Sequence, residues 1–168
     1  MSKPPVGAPA VPYATTLHIR DHCLCLHSQR AARALARRFD AAFRPLALTS
    51  GQFSLLMSLN RPAPPTMGAV ATLLAMDRTT LTAALKPLER RGLVTIEPDR
   101  EDRRTRRLVL TDAGQALLVR AVNLWQSTHD DLDAHLGEGL TAGLHALSGL
   151  GARDASVRLA EPARDQRP

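Results

Sequence analysis

The chain has 168 residues, 44% hydrophobic and 23% charged, which suits one globular domain that needs no disulfide or metal staple. Its formal net charge of +6 points to an anionic partner, and of its 22 basic residues only Lys3 and Lys86 are lysines. Aromatic residues make up only 3%, which argues against a single-strand binder that stacks bases on aromatic platforms.

In chain order, the opening MSKPPVGAPAVPYA is Pro/Ala-rich without the apolar run of a signal peptide, so residues 1–17 are expected to be a disordered lead-in. Residues 18–44 read as one long helix. Leu24, Ala31, Leu35, Phe39 and Ala42 recur at threes and fours, Arg30, Arg33, Arg37, Arg38 and Arg44 crowd other faces, and Pro45 ends it. Thr49 and Gln52 form a capping-box pattern ahead of a short helix carrying Phe53, Leu55, Leu56 and Leu59. The Pro-rich stretch Arg61–Pro65 breaks it. Thr66 and Asp77 can cap two further helices, the second with Leu81, Leu85 and Leu88 inward and Gly92 just past its end. Within that helix, Pro87 removes a backbone bond toward Ala83 and predicts a kink.

The period then shortens. Leu93–Ile96 and Leu108–Leu110 read as two strands pairing around the charged turn 98–106. Thr111 is placed to cap a long helix through Leu117, Leu118, Val122, Trp125 and Leu132. Gly137 and Gly139 interrupt it before a last helix with Leu140, Leu144 and Leu147 on one stripe. The fold class expected is mainly α with a small β-wing, a winged helix-turn-helix at 49–110. Helices at 18–48 and 111–155 would form a dimerisation region, and 156–168 a flexible tail.

That order places the candidate DNA-binding residues. Arg78, Thr79, Thr80, Thr82 and Lys86 lie on the helix that would enter a major groove. Arg100, Arg103, Arg104, Arg106 and Arg107 gather at the hairpin tip. Residues 90–107 hold seven arginines against four acids. Such a run is often only a solvated loop, but behind a helix-turn-helix it is a candidate wing.

The run Asp77-Arg-Thr-Thr-Leu-Thr-Ala-Ala-Leu-Lys-Pro-Leu-Glu-Arg-Arg-Gly-Leu-Val94, followed by Asp99-Arg-Glu-Asp-Arg-Arg104 and Leu108-Val-Leu-Thr-Asp-Ala-Gly114, resembles the multiple-antibiotic-resistance regulator (MarR) family. The resemblance covers roughly residues 20–150. It implies a homodimeric transcriptional regulator that binds a pseudo-palindromic duplex operator, most often as a repressor released by a small-molecule effector. By the same resemblance, Asp102 orients Arg104 for a minor groove, and Thr80 and Thr82 occupy recognition-helix positions. Many relatives carry an arginine where this chain has Ala83. The effector cleft would lie near His22–Arg30 and Phe53–Met57. The implied setting is cytoplasmic, with no membrane partner and no cofactor.

His18 to His27 is a separate cluster. Cys23 and Cys25 point about 200° apart on a regular helix and would not pair. Three readings stand side by side: small interface packing residues, a redox sensor centred on Cys25 with Cys23 second, or a metal site drawing on His18, His22, Cys23 and His27. Cys25 is similar in spacing to the reactive cysteine of the family's organic-hydroperoxide-sensing branch, but Gln29 and Phe39 stand where that branch keeps tyrosines. The alternative function is therefore a cysteine- or metal-based sensor in which DNA binding is secondary. No phosphate loop, zinc-protease motif or nucleophile elbow occurs, so no enzyme is expected.

Overall fold

The computed structural model describes residues 10–136 and 139–158, with side chains through Gly149. The order is α1 (Tyr13–His22), α2 (Leu24–Phe43), a 3-10 turn (Arg44–Leu46), α3 (Ser50–Leu59), α4 (Met67–Leu73), α5 (Arg78–Arg90), β1 (Val94–Pro98), β2 (Arg106–Leu110), α6 (Asp112–Leu136) and α7 (Gly139–Arg158). It is a mainly helical fold with a two-stranded antiparallel wing. Two compact units meet in sequence at Trp125 and Gln126, within α6. No helix among the described residues is long and apolar enough to cross a membrane.

The first unit has one core, built by the apolar periodicity of its helices. Phe43, Leu55, Leu56, Val70, Leu81, Leu85, Leu88, Leu108 and Leu118 are all at most 2% exposed. Each such side chain contributes about 1.5–3 kcal/mol when fully buried. Phe43 stacks on Phe53 with ring centroids 4.8 Å apart, which fixes the end of α2 against α3.

The caps fall where the sequence puts them. Thr49 and Gln52 complete a reciprocal capping box, Thr66 Oγ1 accepts from Ala69 N at 3.1 Å, and Asp77 Oδ1 accepts from Thr80 N at 2.8 Å. Thr111 Oγ1 accepts from Gly114 N at 3.0 Å at the start of α6. Gly92 sits at φ 68°, the left-handed conformation that ends α5. The helix runs on through Pro87 to Arg90.

The helix expected over 18–44 is instead two helices. It begins earlier, at Tyr13 directly after Pro12, so Tyr13–Leu17 are helical rather than part of a lead-in. It breaks at Cys23, whose backbone is extended at φ −73° and ψ 107°. The freed Asp21 carbonyl is met by His27 Nε2 at 3.2 Å. A run of His, Cys and Asp has low helix propensity, and this local imidazole partner makes the break affordable.

In the second unit, Gln126 Nε2 donates to Asp130 Oδ1 at 2.8 Å, and His129 faces Asp133 at 3.5 Å, both one turn apart. On α7, Leu140, Leu144 and Leu147 are 44%, 38% and 41% exposed. No described side chain from Gln126 to Gly149 is buried. The expected interruption at Gly137 lies outside the described residues, whereas Gly139 opens α7. Of the tail expected at 156–168, residues 156–158 instead continue α7, which runs to Arg158, and the rest lies outside the described residues.

Candidate nucleic-acid interface

The recognition helix α5 is amphipathic, and its buried side is the leucine row Leu81, Leu85 and Leu88. Arg78, Thr79, Thr80, Thr82 and Lys86 are all exposed, with no buried residue among them. Thr80 Oγ1 donates to Asp77 Oδ2 at 2.6 Å, and Thr82 Oγ1 donates to the Arg78 carbonyl at 2.7 Å. The Thr80 hydroxyl, and then its backbone N–H, hold the Asp77 carboxyl below the usual carboxylate range.

The wing pairs Val94 with Leu110 through Pro98 with Arg106 in antiparallel register. Ile96 and Leu108 are directly opposite, and Leu108 turns fully into the core. The turn between the strands is held by two aspartates. Asp99 Oδ1 accepts from the backbone N–H groups of Glu101 at 2.8 Å and Asp102 at 3.0 Å. Asp102 accepts from Arg104 N at 3.0 Å and from Thr105 Oγ1 at 3.0 Å. Asp102 therefore holds the backbone at Arg104 and makes no bond to its guanidinium, the contact expected to orient Arg104. The Arg104 side chain, like those of Arg100 and Arg103, makes no hydrogen bond or ion pair among the described residues and is exposed. Arg106 lies over the turn, with Nη1 3.5 Å from the Arg103 carbonyl.

Arg107 is not part of the projecting set. It is half-buried, donates through Nε to Asp99 Oδ2, and donates through Nη1 to the Pro64 carbonyl at 3.1 Å. Bonds from the Asp102 N–H, the Arg107 guanidinium and the Glu101 N–H lower the Asp99 pKa to about 2. Arg91 is exposed, yet its guanidinium is likewise committed to the fold, donating to the carbonyls of Ala47 at 2.6 Å and Leu46 at 3.2 Å. Sequence reasoning missed Arg91, Asp99 and Arg107 as structural residues. An aspartate at the mouth of a turn, two and three residues before the N–H groups it accepts, is the available signal for Asp99.

Beside the core, Phe53, Met57, Leu73, Leu74, Val122 and Trp125 line a cavity of about 400 Å³. This cavity includes Phe53 and Met57 of the expected effector cleft, but none of the residues His22–Arg30. In that stretch Cys25 is exposed and Cys23 half-buried. The His18 and His22 rings stack at 4.3 Å, and His22 Nδ1 lies 2.8 Å from the His18 carbonyl. Among the described residues no three His, Cys, Asp or Glu side chains converge on a metal position, so His18, His22, Cys23 and His27 do not gather as one ligand set, although His18 and His22 touch.

An exposed, N-capped helix beside an arginine-tipped ribbon defines a winged helix-turn-helix DNA-binding protein of the transcriptional-regulator class. The comparisons agree. The MarR family model matches residues 48–105. The M. tuberculosis transcriptional regulator MosR, solved in complex with DNA, is 34% identical, covering 82% of this chain and 99% of its own, with a TM-score of 0.71. The transcriptional repressor CouR, solved on a 23-mer DNA duplex, is 30% identical, covering 88% and 99%, with a TM-score of 0.66. CouR is also solved with p-coumaroyl-CoA. The organic hydroperoxide resistance transcriptional regulator of Bacillus subtilis is 29% identical over 101 residues, 60% of this chain and 69% of that protein. The chain belongs to the MarR family of DNA-binding transcriptional regulators.

Proposed function

We propose that the protein is a non-catalytic, cytoplasmic homodimer that binds a pseudo-palindromic duplex and represses transcription until an effector releases it. The observation that carries this reading is the wing tip. Asp99 and Asp102 fix its backbone while the Arg103 and Arg104 guanidiniums stay uncommitted. A narrow A·T-rich minor groove concentrates negative potential and would attract Arg104. Thr79, Thr80, Thr82, Arg78 and Lys86 would face the adjacent major groove, and Arg100, Arg103 and Arg106 the phosphates. Recognition helices of the two protomers would sit about 34–36 Å apart, one turn of duplex. The apolar cavity beside α3 and α6 supports a small aromatic effector, since its volume falls within the range of ligand sites.

The test is binding of duplexes selected from genomic fragments. Arg104→Ala should weaken binding most on A·T-rich flanks. Arg103→Ala should weaken all sequences alike and flatten the salt dependence by about one unit. Wild-type affinity retained by Arg104→Ala at physiological salt would remove the wing from the interface.

A second reading, a cysteine sensor, is favoured by the exposure of Cys25 and the likeness to the hydroperoxide regulator. On this reading organic hydroperoxide lowers operator affinity of wild type but not of Cys25→Ser. Full affinity with the thiol shown to be oxidised would exclude the switch.

A further inference from the structure

We propose that α5 selects thymine through the γ-methyl groups of Thr80 and Thr82, because both hydroxyl protons are already committed inside the helix. The inference rests on the DNA-binding reading above and concerns which base edge is chosen.

A threonine hydroxyl has one hydrogen to donate and two lone pairs. The Thr80 proton goes to the N-cap carboxylate of Asp77 at 2.6 Å, and the Thr82 proton to the Arg78 carbonyl at 2.7 Å. The first is charge-assisted and belongs to the cap that starts the helix. Turning Thr80 outward to donate to guanine O6 or N7 would strip a bond from Asp77 and leave a less compensated carboxylate facing a polyanion. Turning Thr82 outward would give up its bond to the backbone. Neither residue is therefore suited to reading the acceptor edge of guanine.

What each keeps for a base edge is its lone pairs and an apolar methyl group, and the methyl is the part that can single out thymine. Both residues are exposed, two positions apart on the helix surface. In the major groove the thymine 5-methyl is the apolar feature among the base edges, and threonine methyls fit it. The side chain of Thr79, just before them, makes no hydrogen bond among the described residues and keeps its proton for a phosphate or an acceptor edge. The three threonines of the first turns thus divide into one donor and two methyl readers.

The experiment uses the full chain and duplexes it selects from a random-sequence pool. Each thymine of the selected site is replaced in turn by uracil, which removes the 5-methyl and leaves the hydrogen-bonding edge intact. At the positions read by Thr80 and Thr82, the loss should be roughly four-fold per methyl, the equivalent of one buried methylene. Thr80→Ser and Thr82→Ser keep the hydroxyl and lose the methyl, so each should abolish the thymine–uracil difference at one position. Melting temperature checks that the variants remain folded. Affinity indifferent to uracil throughout the half-site would overturn the proposal, as would an unchanged thymine–uracil difference in both serine variants. If wild type selects no duplex at all, the DNA-binding reading fails with it, and that result is distinct from either of the others.

Discussion

Gly114 carries a steric demand that its place in the Leu-Thr-x-x-Gly run does not announce. A Cβ there would lie 2.2 Å from the Leu93 carbonyl oxygen and 2.7 Å from Leu110 Cδ1, so α6 can start against the strands only over a bare backbone. Gly114→Ala should destabilise the protein by about 1–3 kcal/mol or more, read as a lower denaturant midpoint. The arginines divide in the same way. Arg91 ties the end of α5 to the Arg44–Leu46 turn, and Arg91→Ala should lower stability by about 1 kcal/mol. Arg104→Ala should leave the melting temperature where it is and lower duplex affinity. A common loss of stability in both variants would show that the sorting is mistaken. Sequence spacing alone could not make this distinction within the hairpin, because Arg100, Arg103, Arg104, Arg106 and Arg107 share one local context of charge and turn residues. What separates Arg107 from Arg104 is a carbonyl more than forty residues away, that of Pro64.

At the scale of elements, Asp99 makes the wing sensitive to acid. Its carboxyl is held at about 2, below the ordinary carboxylate value near 3.9. A depressed pKa means the ionised form supports the fold. That contribution is whole above about pH 4 and is lost as the pH falls through about 2. Asp99→Asn should therefore flatten the acid limb of an unfolding titration. Coincident curves for wild type and variant between pH 4 and 2 would show that Asp99 is not linked to stability. Helices with strong end signals were legible in the sequence. Thr49, Thr66, Asp77 and Thr111 mark their starts because a side-chain oxygen at the N-cap has a local geometric role. The break at Cys23 was not legible. No proline or glycine marks it, and its stability depends on the His27 ring reaching back to the Asp21 carbonyl, a contact between residues six apart.

At the scale of the whole molecule, the exposed leucines of α7 and the exposed Ile19 and Leu24 near the α1–α2 break are apolar surface that one protomer does not cover. On the homodimer reading, light scattering at micromolar concentration should give twice the chain mass, and Leu144→Glu with Leu147→Glu should shift it toward one. A monomer mass for wild type would exclude the symmetric operator model as well. The order of elements was readable from patterns of local spacing, and the family from the resemblance carried by the runs 77–94, 99–104 and 108–114. The cavity between α3, α4 and α6 was readable only at Phe53–Met57, because its other walls come from residues distant in sequence. One joint in the fold has a mechanical meaning. Thr66 caps α4 through its hydroxyl and also bridges to Arg107 of β2, while the Pro65 carbonyl accepts from Leu108 N at 2.9 Å. The ribbon is thereby bolted along β2, at Leu108 and Arg107 toward its turn end, to the helix pair that carries α5, and Pro64 and Pro65 stiffen the mounting. On the proposed DNA-binding reading, α5 and the arginine tip would act as two jaws of a calliper set to one opening. A duplex whose neighbouring grooves do not match that gauge would be refused even when every base letter is correct.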